Sequence, residues 1–344
     1  MSNQRNQEAA MEIRTLGRSG LKVTNLCLGT MTFGNQTDKQ AAFAIMDKAF
    51  EAGIRFIDTA DVYPLGGDFQ QFGSTEEIIG DWLKGKRDTI VLASKCFGTM
   101  GPGANDRGLG RKHIMQAIED SLRRLKTDCL DLYQAHQFDE STPVEETLRA
   151  FDDLVTQGKV RYIGVSNWRS WQIVKALGIA ERKNFSRIES VQPRYNLLFR
   201  MIEDELVPMC LSEGVGIMTY NPLAGGMLTG RYRWGQQVET GTRFGLAGAN
   251  KSGELYQKRY WQEPAFEAVE KYRLWCSEHG YDMATTAVRW VIQQPGITSA
   301  IIGASRPEQL DASLAAAEQP LLSEEELQWL DQLWFSLPRR REDR

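Results

Sequence analysis

Several short apolar runs in this chain end on a polar or ionisable residue, and those end residues are the ones able to do chemistry. Asp58 closes the run Arg55–Thr59, Lys95 closes Ile90–Lys95 and His136 closes Leu130–His136. Ser166 and Asn167 end Tyr162–Asn167, Gln192 lies at the end of Ile188–Pro193, and Tyr220 and Asn221 at the end of Gly216–Pro222. Tyr63 follows Asp58 by five residues. An ammonium beside a phenol favours the phenolate, so Lys95 is expected to lower the Tyr63 pKa and make the phenol a usable proton donor and acceptor. Asp58 is a natural ion-pair partner for Lys95, and His136 can polarise or orient an oxygen in the same place. This set suits proton transfer to a carbonyl oxygen. No serine or cysteine elbow accompanies His136, so a nucleophile–base–orienter triad is not expected. The electron pair must come from elsewhere, and a nicotinamide is the economical source of hydride.

Such residues converge only if the runs that carry them are neighbouring strands. With Asn25–Gly29 and Ser299–Ala304 there are eight runs, near-continuously apolar as in Ile90-Val91-Leu92-Ala93. Strands buried on both faces of a parallel sheet read that way. Between them lie helical patterns. Thr142-Pro143-Val144-Glu145 combines an N-cap, a proline at the first helical position and a capping-box glutamate, and Val144, Leu148, Phe151 and Leu154 form a stripe closed by Gly158. Ser74–Glu77 and Thr37–Gln40 have the same capping form, Gly53 ends the helix that Thr37 begins, and Ile114, Ile118, Leu122 and Leu125 mark another stripe. Eight strand–helix units predict a closed α/β (β/α)8 TIM barrel rather than an open sheet, the more so because no G-x-G-x-x-G follows the first strand. The active site then belongs at the C-terminal strand ends, and six polar ends buried there without a ligand would cost several kcal/mol. The segment Thr15–Leu21 reads as a hairpin preceding the barrel. The connection from Pro222 to about Pro264, with eight glycines, Tyr232, Trp234 and several arginines, reads as a long lid loop after the seventh strand.

Composition narrows the function classes. The 344 residues are 42% hydrophobic and 25% charged, with a net charge of −4. That balance gives no basic excess for nucleic acid, and no apolar run approaches a membrane span. Residues 1–12 read as a flexible tail without a signal peptide, 13–337 as a single barrel domain and 338–344 as a charged tail, in a cytoplasmic protein. Five scattered cysteines and three separated histidines point to neither disulfides nor a metal site. His113 opens a helix and reads as surface; Trp82, Trp290 and Trp329 fall on helical stripes and read as core.

The residues resemble the aldo-keto reductase family, of the bacterial NADP-dependent oxidoreductase type, from Arg14 to about Leu314. Gly53-Ile54-Arg55-Phe56-Ile57-Asp58-Thr59-Ala60-Asp61-Val62-Tyr63 is similar to the family stretch carrying the catalytic Asp and Tyr, Leu92-Ala93-Ser94-Lys95 to its Lys segment, and Asp131-Leu132-Tyr133-Gln134-Ala135-His136 to its His segment. The resemblance implies Tyr63 as general acid/base, Lys95 and Asp58 as its tuners, and His136 as the group orienting the substrate carbonyl. It implies NADPH held by Gly29, Thr30 and Met31; by Ser166, Asn167 and Gln192 at the nicotinamide amide; and by Tyr220 stacked on the ring. It further implies a strap over the pyrophosphate from Asn221, Pro222, Leu223, Gly225, Leu228, Gly230 and Arg231. Ile302, Gly303, Ser305, Arg306 and Gln309 resemble the adenosine-phosphate site, where the planar fork of Arg306 suits a 2′-phosphate. Phe33, Phe97, Trp168 and Trp234 fall on catalytic-face loops as a substrate wall. Three departures from the family pattern stand out: a long loop Pro64–Gly73, Ser313 where relatives carry Asn, and Gly110 in place of a Ser cap. The expected function is reversible, NADPH-dependent reduction of aldehydes or ketones to alcohols. The alternatives are a Schiff-base aldolase or lyase using Lys95, and a cofactor-binding regulatory subunit of the same fold.

Overall fold

A computed structural model describes residues 11–238, 242–245 and 251–338. The two expected tails therefore lie, except for Met11, Glu12 and Pro338, outside the described residues. The chain opens with an antiparallel hairpin, β1 (Ile13–Thr15) and β2 (Lys22–Thr24). Eight parallel strands follow: β3 (Leu26–Gly29), β4 (Phe56–Asp58), β5 (Val91–Cys96), β6 (Leu130–Ala135), β7 (Val160–Ser166), β8 (Ile188–Gln192), β9 (Gly216–Tyr220) and β10 (Ile297–Ile302). They pair in chain order, and β10 pairs with both β9 and β3, so the sheet closes as a barrel. The α/β (β/α)8 barrel expected from the eight runs is the fold.

Helices α1 (Lys39–Glu51), α2 (Ser74–Trp82), α3 (Arg111–Leu125), α4 (Val144–Thr156), α5 (Ser170–Lys183) and α6 (Leu206–Glu213) each return the chain to the next strand. After β9 come α7 (Lys251–Tyr260), α8 (Glu263–His279) and α9 (Met283–Gln293), and after β10 come α10 (Asp311–Glu318) and α11 (Glu324–Phe335). The connection after β9 thus contains a 3-10 turn at Ala224–Thr229 and a helix, rather than being a plain loop. The stripe Ile114, Ile118, Leu122 and Leu125 is buried, as are Trp82 and Trp290, while Trp329 stacks on Trp275.

One expected cap is replaced by the adjacent carboxylate, and two others do not form. Thr142 gives its hydroxyl to Asp139 instead of capping α4. At α1 the cap is Asp38, which accepts from the Ala41 amide, and Gly73 rather than Ser74 precedes α2. Gly110 leaves α3 without a side chain to cap it, and Glu146 supplies an acceptor to the Arg111 amide at 2.9 Å. A true capping box is Ser323 with Glu326 on α11.

Side chains on alternate strand residues point into the barrel. One interior layer is apolar: Cys27, Phe56, Ala93, Leu132, Met218 and Ile301, closed from below by Leu16 and Val23 of the hairpin. The hairpin turn sits hard against the barrel floor. Gly17 has φ +58°, and a Cβ there would lie 2.6 Å from the Glu189 carbonyl oxygen. With that end plugged, only the C-terminal end can open. Two residues further along the same strands, on the same interior side, stand Gly29, Asp58, Lys95, Gln134, Tyr220 and Gly303. The polar layer is therefore the direct consequence of period two above an apolar floor.

Candidate active site

Lys95 is fully buried, and its ammonium lies 2.5 Å from Asp58 Oδ2 and 2.7 Å from the Thr59 carbonyl oxygen. The other Asp58 oxygen accepts from Gln134 Nε2 at 3.0 Å and Gln192 Nε2 at 2.9 Å. Burial alone pushes the Lys95 pKa down, but the charge and hydrogen bond of Asp58, with Tyr63, more than reverse it, so the group stays an ammonium. Gln134 was not singled out from sequence. Its signal was its place two residues before His136, on the interior face of β6.

Tyr63 leaves its strand end and leans back over the mouth. Its ring centroid is 5.0 Å from Lys95 Nζ and 5.8 Å from the His136 ring, edge to face. Here the expectation of a lowered phenol pKa is corrected. Burial raises it more than the Lys95 ammonium lowers it, so the phenol is held above its ordinary value and carries its proton at neutral pH. His136 moves the other way: desolvation and the Lys95 charge push it down to about 3, which leaves a neutral imidazole.

Around this centre, Ser166, Asn167, Gln192 and Tyr220 meet as expected. Ser166 donates to the Gln192 carbonyl oxygen, and Asn167 donates to Ser166 Oγ and the His136 carbonyl oxygen. Tyr220 donates its hydroxyl to Asn167 Oδ1 at 2.9 Å. Asn167 holds this position with φ +59°. On the adjoining side Thr30 donates to the Asp58 carbonyl oxygen, Met31 sulfur accepts from Arg243, and Gly29 packs against Ile301.

The strap begins at Asn221, whose side-chain oxygen accepts from the Gly225 amide and whose Nδ2 donates to the Tyr260 hydroxyl. Close approach at its glycines is to protein: a Cβ on Gly225 (φ +69°) would lie 2.8 Å from the Tyr256 ring, and one on Gly230 would lie 2.5 Å from Met283 sulfur. Leu228 and Ile302 are buried, Pro222 is buried and Leu223 is partly so, and Arg231 stacks on Tyr232. Gly303 is exposed, Ser305 donates from both its amide and hydroxyl to Gln309 Oε1, and Arg306 is exposed where the 3-10 turn Pro307–Leu310 starts. Ser313 is buried on α10.

Phe33 is fully buried in the core and Trp234 is half exposed against Phe266. Trp168 is buried edge-on against Phe138, and Phe97 packs partly buried on the core. Sequence reading missed Tyr256 of α7, a buried ring close enough to raise the pKa of both Tyr63 and Tyr220. It was hidden inside the long connection.

The family model described as aldo/keto reductase family matches residues 25–334. The chain belongs to the aldo/keto reductase family. It is 40% identical over 315 residues to an uncharacterized oxidoreductase, YrpG, of Bacillus subtilis, covering 90% of this chain and 91% of that one. It is 35% identical over 338 residues to a "Probable voltage-gated potassium channel subunit beta" of Arabidopsis thaliana, covering 96% and 99%. It is also 35% identical over 330 residues to protein tas of Escherichia coli, covering 88% and 92%. As an aldo/keto reductase the chain is an oxidoreductase of a family that uses nicotinamide cofactors. The donor set fits such a group. Amide and hydroxyl side chains of Ser166, Asn167 and Gln192 gather beside the Tyr220 ring, next to the Lys95–Tyr63 pair, and side-chain-free Gly29 and Gly303 end adjacent strands. Among the described residues no helix is long and apolar enough to cross a membrane.

Proposed function

We propose that this chain reversibly reduces aldehydes or ketones to alcohols with NADPH, and that Tyr63 delivers the proton to the carbonyl oxygen. The observation that carries the reading is the buried Asp58–Lys95–Tyr63 chain with a neutral His136 at its mouth. Ser166, Asn167 and Gln192, with Tyr220, would hold a nicotinamide here, and that group would supply hydride to the carbonyl carbon. The protein's own part is the proton. Tyr63 enters the reaction protonated, and as negative charge grows on the substrate oxygen the phenol hydrogen moves onto it. The fixed Lys95 ammonium stabilises the phenolate left behind, in a site dry enough for that charge to count. His136, uncharged, donates or accepts at the same oxygen and fixes its direction without competing for the proton. Arg306 is the group for the 2′-phosphate.

A Schiff-base role for Lys95 needs a free amine lone pair. Asp58 and the Thr59 carbonyl both accept from this ammonium and hold it charged, which disfavours that chemistry. Replacement of Tyr63 by Phe tests the proposal. Turnover of aldehydes should fall by about 10²–10⁴, the usual worth of a general acid, while calorimetric NADPH affinity stays within about two-fold. Near-normal turnover in Tyr63→Phe sinks the mechanism.

A further inference from the structure

Three residues beyond Asp58, the same segment carries a second carboxylate with a different environment. Asp61 is fully buried, and no side chain hydrogen-bonds its oxygens, on which only the adjoining Val62 amide exerts a backbone pull. It lines a cavity of about 130 Å³ together with Asp106, His113, Gln116, Asp120 and Arg124. His113, expected on the surface, is instead buried here, with its Nε2 also unpartnered. Burial pushes the His113 pKa down, so the ring is neutral and able to accept.

The charges lining and adjoining this cavity do not balance. Arg124 is committed to Glu76 at 2.7 Å, and Arg123 to Asp120 at 2.8 Å. Asp106 accepts from the Gly103 amide at 2.8 Å, but neither it nor Asp61 has an ion-pair partner among the described residues. Lys112 lines only the neighbouring outer hollow. Asp106 is left without an ion-pair partner, and Asp61 is a fully buried carboxyl group that would be costly to ionise here without a counter-charge. Burial and the nearby Glu76 charge push the Asp61 pKa well up, against the weaker opposing pull of Arg124, the Val62 amide and Lys95, so the acid keeps its proton until a cation displaces it.

We propose that this cavity binds one hydrated divalent cation of the magnesium or manganese class between Asp61, Asp106 and His113. Among the described residues no three His, Cys, Asp or Glu side chains close on a single point, so the ion keeps most of its water and bridges through it, as magnesium commonly does. The consequence is mechanical. Asp106 belongs to the loop between β5 and α3, and Asp61 belongs to the segment carrying Tyr63, its amide donating to the Lys95 carbonyl oxygen at 3.1 Å. The ion ties that loop to the wall of the catalytic mouth.

The test is a titration of the full-length cofactor-free protein with Mn²⁺ at constant ionic strength, following free Mn²⁺ by electron paramagnetic resonance. One saturable site per chain is expected, displaced by Mg²⁺, with affinity at least about ten-fold weaker in both Asp61→Asn and Asp106→Asn. The partly exposed Asp106 variant decides the matter if Asp61→Asn does not fold. Absence of saturable binding to the wild type overturns the proposal and leaves Asp61 a neutral acid. Unchanged binding in Asp106→Asn places the ion elsewhere and overturns it equally.

Discussion

Replacing Asp58 by Asn changes one heavy atom and reverses the logic of the barrel's polar layer. Every group aimed at this carboxylate is a donor: the Lys95 ammonium at 2.5 Å on one oxygen, and the amides of Gln134 and Gln192 at 3.0 and 2.9 Å on the other. The new NH2 must face either a cation or two NH2 groups. Removing one partner of a buried pair costs about 3–5 kcal/mol because the remaining charge stays buried. Lys95 can relieve part of that only by losing its proton, and this gives the prediction its sign. In the wild type the folded pKa of Lys95 lies above the ordinary 10.5, so its contribution is complete below that pH and is lost only as pH climbs through the raised value. In the variant burial acts unopposed, the folded pKa drops below the unfolded one, and the unfolded chain holds the extra proton between them. Stability of Asp58→Asn should then rise with pH, by up to about 1.4 kcal/mol per unit, where the Lys95 contribution in the wild type is flat. Urea unfolding followed by tryptophan fluorescence between about pH 6 and pH 10 measures both. A loss under about 1 kcal/mol at neutral pH, or parallel pH profiles for the two proteins, refutes the reasoning.

Three further expectations follow from the same geometry. Because His136 sits at about 3, kcat/KM for aldehyde reduction should show no His136 titration between pH 5 and 8; an acid limb that vanishes in His136→Asn contradicts this. Arg306→Ala should weaken NADPH binding by about ten- to one-hundred-fold, the worth of charged hydrogen bonds, and leave NADH unchanged by calorimetry; equal loss for both makes the side chain a bystander. Gly225→Ala meets φ +69° and the Tyr256 ring at 2.8 Å, so unfolding stability should drop by about 1–3 kcal/mol and the strap should become cleavable by limited proteolysis; an unchanged melting curve refutes the close packing.

What was legible in the sequence was whatever repeats with a fixed period. The strand runs and their polar ends are read from alternation, and alternation also sets the apolar floor beneath Asp58 and Lys95. What escaped depends on distant groups. Thr142 has the form of a helix cap, yet Asp139 takes its hydroxyl; His113 opens a helix like a surface residue, yet the loop carrying Asp106 covers it. Phe33 is placed by order in the chain on a catalytic-face loop, and only packing shows how completely its ring is buried. The phenol pKa was misjudged for a related reason: an ammonium nearby can be inferred from sequence, but the burial that outweighs it is a property of the closed barrel.

Asp58 and Asp61 make the point within one turn of chain. Both are carboxylates, both are buried, and both belong to the segment that ends on Tyr63. Strand alternation sends Asp58 inward, where three donors are already fixed, so its charge serves to hold Lys95. Asp61 lies just past the strand end, where Arg124, already claimed by Glu76, and the Lys95 charge act on it without a hydrogen bond from either. A carboxylate is therefore not a role. The interior partners of Asp58 make its charge useful to proton transfer, while Asp61, without such partners, keeps its proton and is the buried acid that the proposed cation would deprotonate.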